Sequence, residues 1–336
     1  MLAGIIDRDS EFSGLRPFNP LRDIRPVTEL IELSFAQDLD PSSRQMLNEM
    51  RTLAWLLGPL FWLLNRIDSP LTDILGGYVW VEEGTIIGNV TVHRRYKGRK
   101  GWFISNLAVH PHHRRKGIAH RLTMEGIQLA KSRAAQRVSL EVRANNTRAQ
   151  ELYEKLGFAK VDSVSRMKLE RVSRVDLVPS GEYEIRAVRA DEWRKVYQLA
   201  QDTLSPGARE ITPVKEEDHR LNFVQRLVSS IGNLLKGRMV HRWAAVRDDR
   251  FVGLIAVHTG GLLLPHSLTM MVHPDYRGKV EETLLAKALL TLGTYPPRPL
   301  SATIQPSYEE IVDLFRRYGF VEQETLDLLT LPLQHE

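Results

Sequence analysis

One domain-sized pattern occurs twice in this chain of 336 residues, and the duplication limits its fold more than any other feature. The run Val109–Arg114 (Val-His-Pro-His-His-Arg) returns as Val272–Arg277 (Val-His-Pro-Asp-Tyr-Arg), and Gly157-Phe158 returns as Gly319-Phe320. The matching positions are 163 and 162 residues apart. A repeat of that length is a whole domain, because the units of solenoid proteins are only about 20–50 residues long.

A linker separates the two copies. The segment Val178-Pro179-Ser180-Gly181 has the composition of a loop. We therefore predict two domains, residues 1–172 and 183–336, each of ordinary size. In the first copy we predict strands at residues 78–83, 85–94 and 101–109.

Residues 106–119 combine the end of a strand, a basic loop and the start of a helix. The strand ends at Val109, the loop carries Arg114, Arg115 and Lys116, and Gly117 opens the helix. The first N–H groups of a helix lack intrahelical partners, and the helix dipole places partial positive charge at the same end. A glycine there lets an anion approach the backbone. The segment therefore predicts a cradle for a pyrophosphate.

Residues 138–158 follow a strand–helix–strand pattern. Apolar residues alternate over Val138–Val142. A short distance further on, residues Asn145–Thr147 are typical of a helix N-terminus. A stripe at helical spacing follows, and Gly157 ends the helix before Phe158 begins another strand. The stripe consists of Ala149, Leu152, Tyr153 and Leu156.

These two segments resemble motifs A and B of the GNAT superfamily of acyl-CoA-dependent N-acyltransferases. Arg114–Ala119 has the pattern Arg/Gln-x-x-Gly-x-Gly/Ala, and Asn146–Phe158 has the pattern Asn-x-x-Ala-x-x-Leu-Tyr-x-x-x-Gly-Phe. Leu140–Arg143 resembles the branch that includes the ribosomal-protein alanine N-acetyltransferases. The resemblance implies an α/β (α+β) protein of two tandem GNAT domains, each a mixed, mostly antiparallel sheet flanked by helices. It also implies acetyl-CoA as co-substrate and no metal.

The resemblance further implies which residues contact CoA. A bulged strand at Leu107–Val109 would leave backbone N–H groups for the pantetheine and the thioester, and the pyrophosphate would lie over residues 115–120. Asn146 is either a pantetheine contact or a helix cap, or both. The candidate cofactor-binding residues are Leu107, Ala108, Val109, Arg114, Arg115, Lys116, Gly117, Ile118, Ala119, His120 and Asn146.

Two residues are candidates for the chemistry of acyl transfer, which needs a base for the amine and an acid for the leaving thiolate. Glu141 is the candidate base, because it lies in the opposite phase to the apolar residues of its strand, where helices would partly desolvate it. The alternative is a solvated residue or an ion pair with Arg143. Tyr153, twelve residues on, is the candidate acid, and its alternative is a core aromatic.

The second copy lacks these features. When the two copies are aligned, Val280 takes the place of Gly117 and Glu282 that of Ala119. Thr303 likewise replaces Glu141, and Phe315 replaces Tyr153. Carboxylates at a helix N-terminus repel a pyrophosphate. We therefore predict a degenerate second domain and one active site, in the N-terminal half.

Composition excludes several classes of protein. The chain has no cysteine, so neither disulfides nor thiol catalysis is possible. Its net charge of +5 is concentrated in short runs, which does not predict nucleic-acid binding, and His110, His112 and His113 lie in one loop without the pattern of a metal site. Leu53–Leu64 is too short to span a bilayer, and early acidic residues argue against a secretory signal, which predicts a cytoplasmic protein.

The expected function is acetyl-CoA-dependent N-acetylation of an amine, either a peptide N-terminus or a small molecule. The apolar segment around Trp55 and Trp62, with Asp38 and Asp40 before it, would suit a cationic, partly hydrophobic amine. The alternatives are a small-molecule acetyltransferase like the mycothiol synthases and a non-catalytic acyl-CoA sensor. We expect a monomer with pseudo-dimeric domains or a homodimer.

Overall fold

The computed structural model describes residues 12–35, 76–94, 101–172, 183–204, 216, 239–260, 265–305 and 309–333. The apolar segment Leu53–Leu64 and the aspartates Asp38 and Asp40, on which the expected amine site depends, lie outside these residues. Among the described residues, no helix is long and apolar enough to cross a membrane.

The described part of the chain forms twelve strands and six α-helices. The strands are β1 (Gly14–Pro17), β2 (Gly76–Glu82), β3 (Thr85–Arg94), β4 (Gly101–Val109), β5 (Arg137–Arg143), β6 (Ala159–Leu169), β7 (Glu184–Ala187), β8 (Val240–Arg247), β9 (Arg250–His258), β10 (His266–Val272), β11 (Leu300–Ile304) and β12 (Val321–Pro332). The helices are α1 (Pro20–Ser34), α2 (Ile118–Ser132), α3 (Thr147–Lys155), α4 (Trp193–Thr203), α5 (Glu281–Leu292) and α6 (Glu309–Arg317). The strands predicted at residues 78–83, 85–94 and 101–109 are thereby confirmed within two residues at each end.

The chain divides into two compact units that differ from the two halves of the sequence. The first unit consists of Met1–Glu141, Thr147–Lys160 and Leu329–Glu336, and the second of Val142–Asn146 and Val161–Leu328. The sequence boundaries 1–172 and 183–336 describe the two copies of the repeat. In the compact units, β6 belongs to the second unit from Val161 on and β12 belongs to the first from Leu329 on, which we call the exchange of β6 and β12. The reason is strand pairing, because β6 pairs with β11 and the end of β12 lies beside β5.

The first unit is a mixed sheet in the order β1-β2-β3-β4-β5, followed by the end of β12. The pairs from β1 to β4 are antiparallel and β4 pairs with β5 in parallel. Helix α2 packs on β2, β3 and β4, and α1 packs on β3 and β4. Strand β3 is buried at five successive positions because both faces of the sheet are covered. The centre of this core includes Ile104, Leu122 and Leu140, each at most 2% exposed.

The second unit repeats this architecture in the order β11-β10-β9-β8-β7, with β6 on the other side of β11. Strands β10 and β11 are parallel, as β4 and β5 are, and the other pairs are antiparallel. Helix α5 packs on β8 and β9, and its Leu284, Leu285 and Leu289 belong to the core. Each unit is therefore a mixed, mostly antiparallel sheet with helices, which confirms the predicted fold class.

The exchanged strands also pack against the two helix-ending glycines. A Cβ atom at Gly157 would lie 3.4 Å from Leu331 Cδ1, and one at Gly319 would lie 3.4 Å from Leu169 Cδ1. Leu331 belongs to the first unit although it comes 174 residues after Gly157 in the sequence. The first copy therefore completes its core with the last residues of the chain.

We expect that Leu329→Ala lowers the free energy of unfolding by about 2–5 kcal/mol, because Leu329 is 3% exposed and its removal leaves a cavity. Urea denaturation followed by circular dichroism measures this loss. The matched control is Val321→Ala on the same strand, where the side chain is 60% exposed and the change should stay below about 0.5 kcal/mol. Equal, small effects of both substitutions would show that β12 does not contribute to the core.

Candidate acyl-transfer site

The candidate site of the first unit lies where two parallel strands stop pairing. Strands β4 and β5 are in register from Gly101–Arg137 to Ile104–Leu140, and their pairing ends there. Residues Ser105–Val109 continue along β3 on one side only. A wedge therefore opens between β4 and β5, and Glu141 is the first residue of β5 beyond the register with β4. Backbone groups along such a wedge need another partner, since unpaired buried N–H and C=O groups are costly.

A β-bulge in β4 lies at the opening of this wedge. Asn89 is in register with Ala108 and Thr91 with Ser105, so Asn106 and Leu107 together face Val90. Asn106 has a φ of +51°, in the left-handed region. The sequence predicted the bulge at Leu107–Val109, and in the structure the bulge consists of Asn106 and Leu107. A bulge bends the strand and increases its local twist, which separates β4 from β5.

Glu141 and Tyr153 differ sharply in their surroundings. Glu141 is exposed, while Leu140 and Val142 beside it are buried. The partial desolvation expected for Glu141 is therefore wrong, although Ser139 on the same face of β5 is buried. Tyr153 is 6% exposed, and its ring packs edge-on against Phe158 at 5.8 Å. Burial raises the pKa of the Tyr153 hydroxyl to about 12, so it stays protonated at neutral pH.

The predicted cofactor residues divide into those that offer side chains and those that offer only backbone. The side chains of Ala108, Val109 and Ile118 are buried in the core, so these residues present only peptide groups. Arg115, Lys116, Gly117 and His120 are exposed around the helix N-terminus, Leu107 and Ala119 are half-buried, and Asn146 is exposed directly before α3.

Arg114 has a structural task in the loop. Its Nε donates a hydrogen bond to Val109 O at 3.2 Å, and its Nη2 donates to Ser34 O at 3.2 Å. The guanidinium therefore ties the loop to the end of α1. A neighbouring ion pair, His113 Nδ1 to Glu82 Oε2 at 2.6 Å, holds the loop to β2. Among the described residues, no group of His, Cys, Asp or Glu side chains has the arrangement of a metal site.

The loop leads into a helix N-terminus whose first N–H groups have no intrahelical partner. The first helical hydrogen bond of α2 runs from Arg121 N–H to Gly117 O, so the N–H groups of Ile118, Ala119 and His120 precede it. Gly117 has a φ of +77°, and a Cβ atom there would meet nothing within 4 Å. The backbone conformation therefore favours glycine at this position, and the neighbouring protein atoms leave space around it.

The second unit has a loop at the equivalent position that begins with the same backbone conformation. A 3-10 turn at Pro274–Tyr276 matches the turn at Pro111–His113, and in each case the preceding histidine accepts a hydrogen bond from the backbone. Arg115 and Gly278, at matching positions, have φ angles of +65° and +76°. The first residues of the two loops therefore have the same backbone conformation.

The helix that follows corrects our alignment of the two copies. A Cβ atom at Gly88 would collide with Leu122 and Ile118, and one at Gly253 would collide with Leu284 and Val280. Val280 therefore takes the place of Ile118 under the strand glycine. Our assignment of Val280 to the place of Gly117 is wrong, because the second loop is one residue shorter.

With this alignment, Glu281 stands in the place of Ala119 and fills the second loop. Its Oε1 accepts a hydrogen bond from Gly278 N–H at 2.9 Å, and its Oε2 accepts one from Val280 N–H at 3.1 Å. The residue is only 3% exposed. The chain's own carboxylate thus occupies the anion position of the second loop. In the first loop, Ala119 has no side chain that could do the same.

Sequence reasoning missed two residues of this comparison. One is the inward-folded Glu281, and the other is Asn89, whose Nδ2 donates a hydrogen bond to Asn106 O at 3.0 Å in the bulge. The signal for Asn89 was an amide in the apolar run Ile86–Val90, where the second copy has Leu254.

Comparisons with known proteins show which proteins this chain is similar to. The profile of the Acetyltransferase (GNAT) family matches residues 45–158. The chain is 35% identical over 86 residues to N-alpha-acetyltransferase 30 of Schizosaccharomyces pombe, which is 26% of this chain and 56% of that protein. It is 41% identical over 54 residues to the putative ribosomal protein bS18-alanine N-acetyltransferase of Bacillus subtilis, which is 16% of this chain and 36% of that protein.

A relative with similarity over a longer segment is the mycothiol acetyltransferase of Thermobispora bispora, 30% identical over 150 residues, which is 44% of this chain and 46% of that protein. The matched segments thus span between about a third and just over half of these curated relatives. A tandem GNAT protein from the clavulanic acid biosynthesis pathway has the same fold, with a TM-score of 0.57 over 96% of this chain and 99% of that one at 16% identity. Residues 45–158 therefore match the GNAT acetyltransferase family, and the chain has the fold of a tandem GNAT protein.

Proposed function

We propose that the chain is an acetyl-CoA-dependent N-acetyltransferase with one active site, formed by the first copy (residues 1–172), and that the second copy (residues 183–336) is not catalytic. The observation that carries this proposal is the contrast between the two phosphate loops. The first leaves its helix N-terminus open, whereas in the second Glu281 accepts hydrogen bonds from Gly278 and Val280 N–H. A carboxylate held there supports an anion as the ligand of the first loop.

In the proposed complex, the pyrophosphate lies on the N–H groups that precede the first helical bond of α2, with Arg115 and Lys116 supplying charge. The pantetheine and the thioester lie along Leu107–Val109, in the wedge between β4 and β5. The N–H of Val109 faces this wedge, because the N–H of His110 donates to Ile87 O across β3 and successive N–H groups of a strand alternate in direction. An N–H group there can stabilise the oxygen of a thioester during attack.

The chemistry needs one base and one donor to sulfur. Glu141 takes a proton from the acceptor amine, whose nitrogen then forms a bond to the acetyl carbon as the bond from that carbon to sulfur breaks. Tyr153 donates its hydroxyl proton toward the leaving thiolate. Since burial raises the pKa of Tyr153 to about 12, hydrogen-bond donation to sulfur is favoured over complete proton transfer.

The acceptor is an amine. One relative is named as an N-alpha-acetyltransferase and another as a putative alanine N-acetyltransferase of a ribosomal protein, which supports a peptide α-amino group as the first candidate. The similarity to a mycothiol acetyltransferase supports a small-molecule amine as the alternative. Thiol release from acetyl-CoA in the presence of separate peptide and small-molecule amine pools, with mass spectrometry of the products, decides between them. A chain that binds acetyl-CoA and acetylates neither pool would instead be an acyl-CoA sensor.

We expect one CoA per chain, and loss of that site in Gly117→Val, because a valine at φ +77° is strained and its side chain blocks the approach to the helix N-terminus. Calorimetric titration gives the stoichiometry. The matched control is Gly278→Val, where φ is +76° and the surroundings are equally empty, so strain is equal and CoA binding should persist. Two sites of similar affinity in the wild type would contradict a degenerate second copy.

Tyr153→Phe should lower kcat by about 10²–10⁴-fold with little change in CoA affinity, because one donor is lost and the ring packing remains. The second copy shows that phenylalanine packs well here, since Phe315 is fully buried against Phe320 at 4.9 Å. Tyr318→Phe is the control, as it removes a hydroxyl with a similarly raised pKa from the second unit. Equal turnover of Tyr153→Phe and wild type would exclude the hydroxyl from the reaction.

Glu141→Gln should lower kcat and remove the decline of the rate at low pH, because only an ionised base accepts the proton of the amine. Steady-state rates measured across a pH series test this. Glu151→Gln, an exposed glutamate on α3, serves as the control and should retain the wild-type profile. An unchanged profile in Glu141→Gln would place the base elsewhere.

A further inference from the structure

Asn89 is a buried amide at a position where packing alone accepts a leucine. It follows Gly88 on β3 and is 1% exposed. In the second unit, Leu254 follows Gly253 on β9 and is 3% exposed. The two positions match, because each glycine makes room for the helix that covers its strand. Burying an amide costs free energy unless it is hydrogen-bonded, so Asn89 requires a reason other than packing.

That reason is the bulge in β4. Asn89 Nδ2 donates to Asn106 O at 3.0 Å, and the side chain of Asn106 donates to Thr91 Oγ1 at 3.4 Å. The extra residue of a bulge has no ladder partner. Asn89 therefore donates a hydrogen bond to the carbonyl group of a bulge residue, and it attaches the bulge to β3.

The second unit shows what the sheet does without this amide. Strands β9 and β10 pair one to one from Gly253–Val272 to Val257–Leu268, with no bulge. The parallel pairing of β10 with β11 then extends to Thr269–Thr303. Thr303 matches Glu141, whereas pairing in the first unit stops one step earlier, at Ile104–Leu140. The bulge thus coincides with a wedge that opens at Glu141.

We propose that Asn89 is a positioning residue for acyl transfer. By holding Asn106 O, it fixes the bulge and with it the direction of the backbone N–H group of Val109 toward the thioester oxygen. In this proposal Asn89, which lies on β3 next to the bulge, contacts neither substrate nor cofactor. This assignment rests on the proposed acetyltransferase function. Binding of the nucleotide end of CoA depends on the loop at Arg115–His120 and is independent of Asn89.

The test compares Asn89→Leu, which installs the residue of the second unit, with Asn89→Asp, which keeps the size of the side chain and removes the donor. Steady-state kinetics give kcat and KM, and calorimetry gives Kd for acetyl-CoA and for free CoA, which lacks the acetyl oxygen. We expect kcat to fall by about 10–10³-fold in both variants, as for misplacement of an oxyanion donor. The Kd of free CoA should stay within about 2-fold of wild type, since a loop contact remains unchanged.

The ratio of the two Kd values is a readout that needs no turnover. We expect the preference for acetyl-CoA over CoA to fall by about 2- to 10-fold, the worth of one hydrogen bond. Thr203→Val, which removes a buried hydroxyl bound to Leu199 O in the second unit, controls for general loss of stability. Equal weakening of both ligands, or wild-type kcat in both variants, overturns the positioning role. A wild-type chain without transfer activity overturns the proposed function, and the Kd ratio then still decides the role of Asn89.

Discussion

The interrupted pairing of β4 and β5 is the constraint on which the first unit depends. Two parallel strands that stop hydrogen bonding inside a sheet leave polar backbone groups without partners, and the interior of a protein tolerates few of these. On the β3 side of β4, where the bulge interrupts the ladder, Asn89 donates a hydrogen bond to the carbonyl of Asn106. On the β5 side, our proposal assigns the backbone groups of β4 to the acyl-CoA. The site is therefore a gap in the sheet that only a few residues keep open.

The two copies separate the requirements of folding from those of binding. Both retain a glycine where a helix approaches a strand and a histidine that accepts a backbone hydrogen bond at the 3-10 turn. Both also retain an edge-on aromatic pair at the end of a helix, α3 in the first copy and α6 in the second. These features serve the fold. The bulge, the open helix N-terminus and the Tyr153 hydroxyl occur only in the first copy within the described residues, although the second copy has the same fold and core. The differences converge on one wedge and one loop.

Glu281 shows how a binding loop closes without loss of the fold. The N–H groups at a helix N-terminus attract any anion, and a side chain one residue inside the helix is always near. In the second unit this side chain is a carboxylate, which accepts two backbone hydrogen bonds and is buried. An internal carboxylate stabilises the loop at all times, whereas a bound pyrophosphate does so only when present. The second loop is therefore stabilised by a side chain of the chain itself.

The sequence by itself determined the repeat, the strands around residues 78–109 and the strand–loop–helix at residues 106–119. It also determined that Phe315 occupies in the second copy the position that Tyr153 occupies in the first. These features depend on local periodicity and on turn chemistry. Tertiary structure decided the rest. The exposure of Glu141, the clamp made by Arg114 and the match of Val280 with Ile118 depend on which elements pack together. The exchange of β6 and β12 and the bond from Asn89 to the bulge join residues that are distant in the chain, and no local pattern records such contacts.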